Sequence, residues 1–287
     1  MLNSVLIVGL GLMGSNLGLK LRSQGIKVYG KDKEGKAYSR ALNSGVVEKG
    51  RPKEVDLIIL SMPINEIINY FNTPQIEITA KAVVDLGGTK KDICKLMDKS
   101  LIPAIGGHPL CGVADNSNFK DNMDLYSNST FILSETSSTT EEAKLLVLEM
   151  VKLANANPIW LKPDIHDEII AITSHIPHLI STALIGAVMK NYKLEEIMEF
   201  TSGGFDGATR LSRTNPDMIW GMLETNNESI EIFGEKFLNE FRNIFAMNGE
   251  SDLHQYIEET VEWRRELASR FGERPLEGSC DGIQFPF

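Results

Sequence analysis

The chain has 287 residues, 42% of them apolar and 24% charged, with a net charge of −10 and a pI of about 5.1. That length allows two domains and that composition is globular. The acidic balance argues against a nucleic-acid or anionic-membrane partner, since both want basic patches.

Strand and helix patterns alternate through the first half. "SVLIVGLG" is a β-branched apolar run ending in glycine and reads as a buried strand, and "LMGSNLGLKLRSQG" follows with helical spacing. "IKVYGKD" is a second strand, and "KEGKAYSRALNSG" a helix closed by Gly45. "EVDLIILSMP" and "AKAVVDLGG" are two more strands, and "TKKDICKLMDKS" is a helix leading to the strand "LIPAIGGHP". "STFILS" and "NPIWLK" flank the helix "TTEEAKLLVLEMVKLAN". Such alternation implies a Rossmann-type, mostly parallel, doubly wound α/β sheet over residues 1–163.

From residue 164 to 271 only helical patterns appear, which predicts an all-α C-terminal domain. Residues 163–190 form one long pattern, and others run over 193–201, 215–224, 226–247 and 250–271, with 272–287 as a tail. Ile169, Ile170, Ile172, Ile176, Leu179, Ile180, Leu184, Ile185 and Val188 cover most of the first helix's circumference. A helix apolar all round needs neighbours on every side, which predicts a homodimer through this domain. No unbroken run of about 18 apolar residues suggests a membrane span. The first strand begins by about residue 4, leaving no room for a signal peptide. The three cysteines, Cys94, Cys111 and Cys280, form no CxxC pair, so a reducing cytoplasm is expected rather than a disulfide framework.

Gly9-x-Gly11-x-x-Gly14 falls between a strand and a helix, the context in which it binds a dinucleotide. Gly9 permits the tight turn, Gly11 the approach of a pyrophosphate, and Gly14 close helix–sheet packing. Leu10, Leu12 and Met13 complete the turn, with Ser61 at the end of the third strand. Asp32, 18 residues beyond Gly14, is placed to accept bonds from the adenosine ribose hydroxyls, favouring NAD over NADP. Lys31 and Lys33 beside it read as a solvated loop edge.

Of five histidines, His166, His175 and His178 crowd into "HDEIIAITSHIPH". His175 and His178 share a helix face, and Pro177 between them should bend the helix. No obvious third ligand completes a metal site. His166 reads equally well as a surface or capping residue, and His254 as a surface residue. His108 is held in "GGHPLCG", where two glycines and a proline restrict the backbone. Arg210 lies in a turn-rich segment as a fork for a substrate carboxylate, while Arg213 reads as covering a helix end.

In this order and at these separations, "GLGLMGSNLGLKL", "GGHPLCG", "HDEIIAITSHIPHL" and "GGFDGATRLSRTNP" resemble the prephenate and arogenate dehydrogenase family, from about residue 4 to about 270. The resemblance implies NAD-dependent oxidative decarboxylation of a cyclohexadienyl acid in tyrosine biosynthesis. It implies His108 as the base at the ring C4 hydroxyl, Arg210 on the substrate carboxylate, and Ser174, His175 and His178 lining the substrate pocket. Several residues depart from the family's pattern. Gly88 replaces a serine, leaving Thr89 as the nearest hydroxyl for substrate; Val113 and Gly207 replace polar residues, and Trp220 is displaced by one position. These changes admit an alternative substrate with a C4 amine, 4-amino-4-deoxyprephenate, or a non-catalytic NAD-binding regulator. A β-hydroxyacid dehydrogenase or imine reductase fits less well, because their helix carries a catalytic lysine or aspartate where this one offers histidines.

Overall fold

The structure, a computed structural model, describes residues 1–73, 78–111, 122–247 and 249–271. Gly112, Val113, Cys280 and the tail 272–287 lie outside the described residues. The chain forms two compact units, Met1–Glu231 and a second beginning at Ile232.

The first unit is built on a seven-stranded sheet of order β2-β1-β3-β4-β5-β6-β7. Its strands are β1 Ser4–Val8, β2 Lys27–Lys31, β3 Glu54–Leu60, β4 Thr79–Asp85, β5 Ala104–Pro109, β6 Thr130–Glu135 and β7 Asn157–Trp160. All neighbours run parallel except β5 and β6. The inner strands are near-continuous Val, Ile and Leu because helices cover both faces. Val5, Ile7, Leu57 and Ile59 join one apolar cluster, and Leu6, Ile58, Leu60 and Val83 the other.

Helices α1 Leu12–Ser23, α2 Gly35–Asn43, α4 Lys91–Met97 and α5 Glu141–Leu153 fall where expected. Gly45 ends α2 at φ +70°, the left-handed position that favours glycine. The helix α3 Ile64–Asn72 was not expected. It has nine residues, shorter than the run over which a helical period is usually recognised, and of these only Ile67 is fully buried.

After β7, the described residues are helical. The long pattern resolves into α6 Pro163–Ile170, a π-helical turn Ala171–His175, and α7 Ile176–Asn191. Pro177 sits in the first turn of α7 and has no N–H to give. Just upstream the ladder widens, with Ile176 N–H bonding the Ala171 carbonyl. The expected disturbance is therefore a π turn, a form that recurs at functional sites. Pro163–Asn191 is also long and apolar enough to cross a bilayer. The reading by unbroken runs missed this because polar residues punctuate the stretch; among them His166, Asp167 and His175 are buried in the unit itself.

The remaining helices are α8 Leu194–Ile197 with a short 3-10 turn, α9 Gly203–Thr209, a 3-10 turn Arg210–Arg213, α10 Pro216–Thr225 and α11 Asn227–Ala246. The glycines of α9 concealed it as a turn-rich segment. Helix α12 Glu250–Phe271 lies wholly in the second unit.

Candidate active site

The parallel strands deliver their carboxyl ends to one edge, where open α/β sheets bind ligands. Gly9 follows β1, Asp32 follows β2, Ser61 follows β3, Asp85 ends β4, and His108 is near the end of β5. The strand order reverses between β2-β1 and β1-β3, which puts the glycine turn at the switch point.

Gly9 has φ +94°, and a Cβ there would meet the Ser61 carbonyl oxygen at 2.3 Å. A Cβ on Gly14 would lie 2.1 Å from the Gly9 carbonyl oxygen and 3.1 Å from Ser61 Oγ. Gly11, by contrast, has no described residue within 4 Å of a Cβ and precedes α1 without a side-chain cap. Leu12 and Met13 open that helix, so its first N–H groups face outward, as an anion needs. The Met13 carbonyl accepts from the Tyr126 hydroxyl at 2.9 Å. Asp32 braces the turn: its carboxylate accepts from Leu10 N–H at 2.7 Å and from Glu34 N–H at 2.8 Å. Arg40 donates to the Leu10 carbonyl at 2.8 Å from α2. Each Asp32 oxygen keeps a lone pair for a ribose hydroxyl. Lys33 is paired with Glu66 at 3.0 Å. The turn fits a dinucleotide: it has no room for side chains at Gly9 and Gly14, and space for a pyrophosphate at Gly11.

The His108 corner is assembled from distant segments. His108 Nδ1 lies 2.9 Å from His166 Nε2, and His166 Nδ1 lies 2.7 Å from Asp167 Oδ1. Asp167 also accepts from the backbone N–H groups of Lys90 at 2.7 Å and Lys91 at 2.9 Å. Beneath it, Asp85 forms a fully buried ion pair with Lys90. Asp85 also accepts from Gly87 N–H at 2.7 Å and Gly107 N–H at 3.0 Å, which fixes the strand that presents His108. Burial pushes the His108 pKa well below 6.5, helped by the positive charges of its neighbours. Burial lowers His166 as well, against the pull of Asp167. Among the described residues, a Cβ on Gly88 would find a single neighbour within 4 Å, His108 Nε2 at 4.0 Å, so that nitrogen faces the position a side chain would occupy.

His166 is thus buried, not a surface or capping residue. Asp85, Lys90, Asp167 and Asn226 were not singled out from sequence at all. The one available signal was an adjacent histidine–aspartate pair on a helix otherwise expected to be apolar.

The helical wall contributes the rest. His178 Nδ1 donates to the Ser174 carbonyl at 2.8 Å, and Nε2 has no hydrogen-bond partner among the described residues. His175 is buried with Nδ1 3.2 Å from Asn226 Nδ2, and burial drops its pKa to about 4. Arg210 is half-buried at the end of α9 and makes no hydrogen bond or ion pair with another described residue. Its turn is tied to α7 by Ser212 N–H donating to Ser181 Oγ at 3.1 Å, three residues beyond His178. Thr89 is not brought to this group. It is buried, and its hydroxyl pairs with Thr225 at 2.8 Å. His254 is exposed on α12. Among the described residues no cluster of three His, Cys, Asp or Glu side chains suits a metal ion.

Comparison with known proteins agrees with this geometry. Residues 17–159 match the family model for the prephenate dehydrogenase nucleotide-binding domain, and residues 162–261 the model for its dimerization domain. A prephenate dehydrogenase from Lactococcus lactis is 28% identical over 96% of this chain and 80% of its own. A cyclohexadienyl dehydrogenase from Zymomonas mobilis is 25% identical over 94% of this chain and 98% of its own. The crystal structure of prephenate dehydrogenase from A. aeolicus, in complex with hydroxyphenyl propionate and NAD+, superposes with a TM-score of 0.82 at 26% identity, covering 93% and 99% of the two chains. With a dinucleotide turn at the switch point and a half-buried histidine at the same sheet edge, the chain belongs to the prephenate dehydrogenase family of oxidoreductases.

Proposed function

We propose that the chain catalyses the NAD-dependent oxidative decarboxylation of prephenate or arogenate in tyrosine biosynthesis. The observation that carries this reading is His108, a half-buried imidazole favoured as neutral at the carboxyl edge of the sheet, with Nε2 facing Gly88. Bound NAD would supply the acceptor for the hydride leaving ring C4. His108 accepts the hydrogen bond of the C4 hydroxyl and shares its proton while carbonyl character develops there. The ring carboxylate departs as CO2, its bonding electrons complete the aromatic ring, and the proton stays with the phenol. Arg210 supplies the local positive fork that a net-acidic protein otherwise lacks, and His178 offers Nε2 from the neighbouring helix. Asp32 accepts from the ribose hydroxyls and disfavours a 2′-phosphate.

The relatives named above support this reading, as does the bound NAD+ of the A. aeolicus enzyme. Gly88 favours a second reading, because the missing side chain leaves room beside Nε2 for a C4 amine. We further assign residues 1–163 to nucleotide binding and 164–271 to substrate binding and homodimer formation. Ile169 is 40% exposed and Leu184 36% exposed within one chain, apolar surface that a second copy would cover. Free thiols at Cys94 and Cys111 suit a reducing cytoplasm.

The test is NADH formation with prephenate, arogenate and 4-amino-4-deoxyprephenate offered in parallel. Turnover of either hydroxylated acid is expected. Preference for the amine makes Gly88 a specificity residue, and NAD binding without turnover of any of the three overturns the enzymatic reading. Arg210→Ala should raise KM by roughly tenfold to a hundredfold with kcat little changed, the loss of one charge-assisted fork; an unchanged KM removes Arg210 from the site.

A further inference from the structure

The hydrogen bonds behind His108 admit only one arrangement of protons while both histidines are neutral. The Asp167 carboxylate is buried and accepts two backbone N–H bonds, from Lys90 and Lys91. Each of its two oxygens thus accepts a backbone N–H, and a carboxylate has no proton to donate. His166 Nδ1 at 2.7 Å must therefore carry the hydrogen. A neutral imidazole holds one N–H, so His166 Nε2 is a bare lone pair. It faces His108 Nδ1 at 2.9 Å, a distance that requires a proton between the two nitrogens. That proton belongs to His108 Nδ1, and His108 Nε2 is left as the lone pair facing Gly88.

We propose that Asp167 and His166 are positioning residues that fix the tautomer of His108, making its outward Nε2 the acceptor. The inference rests on the reading of His108 as the base, although the tautomer itself does not depend on which substrate is used. The logic is that of a carboxylate orienting a catalytic imidazole, lengthened by a second histidine. The arrangement is held from several sides. Asn226 Nδ2 donates to the Asp167 carbonyl at 2.8 Å and lies 3.2 Å from His175 Nδ1. Lys90, paired with Asp85, sets a positive charge near both rings and opposes their protonation. The orientation can also be reversed. A doubly protonated His166 would donate to Asp167 and to His108 Nδ1 together, forcing the His108 proton onto Nε2 and silencing the base. The charges that face this step are Asp167 on α6, Asp85 on β4, Lys90 at the start of α4 and His175 on the π turn.

The first test needs no variant. In the full chain with 15N-labelled histidine, two-bond 1H–15N spectra at pH 7.5 should show His108, assigned by its absence in His108→Asn, as the Nδ1–H tautomer. An Nε2–H pattern overturns the proposal whatever the substrate proves to be. The second test is kinetic. His166→Leu removes both bonds and should lower kcat about a hundredfold, with KM and NADH-fluorescence binding within about threefold of wild type. His166→Gln keeps an acceptor toward His108 and a donor toward Asp167, and should recover kcat to within about tenfold. A glutamine variant no better than leucine, with dinucleotide binding intact in both, shows that tautomer control is not what His166 does.

Discussion

The glycine turn and the His108 corner share one sheet edge and are built on opposite principles. The turn works by omission: Gly9 and Gly14 have no room for a Cβ, Gly11 keeps a surface clear, and the start of α1 has no side-chain cap. The corner works by accumulation. His166, Asp85, Asp167 and Lys90 are packed out of water behind a half-buried His108, each satisfied by a named partner. Buried polar networks of this kind are costly when any one member is missing, whereas a backbone turn is costly when anything is added. The two regions should therefore respond to mutation in different currencies, the corner in kcat and acid stability, the turn in cofactor affinity.

The largest effect expected is on the corner. His108→Asn should lower kcat by about 10²–10⁴-fold with little change in KM or NAD affinity, because the acceptor acts in the transition state. Steady-state kinetics beside a dinucleotide titration checks this. A preserved kcat would make His108 structural and dissolve the contrast with the turn. Since burial holds the His108 pKa well below 6.5, the acid limb of kcat/KM should also fall below pH 6.5.

Acid stability sharpens the same contrast. His108, His166 and His175 all have lowered pKa values in the fold, mainly through burial. An unfolded chain takes up these protons near pH 6.5 while the folded chain resists them, so protons favour unfolding below that pH. Stability is then full above pH 6.5 and declines as pH falls through the lowered values. For His175, with a folded pKa of about 4, the loss between pH 6.5 and 4 is roughly 3 kcal/mol. Urea melts across that range should show the decline, and His175→Asn should flatten it. A variant with the wild-type slope would mean that His175 titrates normally.

The difference between the regions also explains how much could be read in advance. The turn is local: Gly9, Gly11, Gly14 and Asp32 lie within one β-α-β unit, and their spacing alone places Ser61 as well once the strands pair in parallel. His108 and Arg210 were singled out in the sequence too, through restricted backbone and charge. The partners of His108 were not, because Asp85, Lys90, His166, Asp167 and Asn226 come from four separate elements and meet only through the packing of α4, α6 and α10 on β4 and β5. Thr89 reads in the sequence as the nearest hydroxyl for substrate. Its neighbour Gly88 faces His108, and consecutive residues in a turn point different ways; its hydroxyl goes to Thr225 instead.

On the turn, two substitutions of the same size should part company. Gly14→Ala would place a methyl 2.1 Å from the Gly9 carbonyl oxygen, a backbone clash worth about 1–3 kcal/mol that lowers Tm and weakens NAD by about tenfold. Gly11→Ala meets nothing within 4 Å, so Tm should stay put while NAD affinity falls, the methyl standing where a pyrophosphate would approach. Thermal melts with and without NAD separate the two. Equal loss of Tm in both would mean that Gly11 is a packing residue.

The smallest effect should come from Asp32, because it belongs to both principles at once. Its carboxylate is a charge, which would disfavour a 2′-phosphate, and also a brace, accepting from Leu10 N–H at 2.7 Å. Asp32→Ala removes both and should weaken NAD while raising NADP affinity relative to it. Asp32→Asn keeps an oxygen for Leu10 N–H and removes only the charge. If repulsion sets cofactor choice, the asparagine variant should shift the NADP-to-NAD affinity ratio a few-fold, by about 1 kcal/mol or less for a half-exposed charge, with Tm unchanged. If the ratio moves in alanine but not in asparagine, Asp32 matters as part of the turn's scaffold, and the preference for NAD lies with the shape of the turn rather than with its charge.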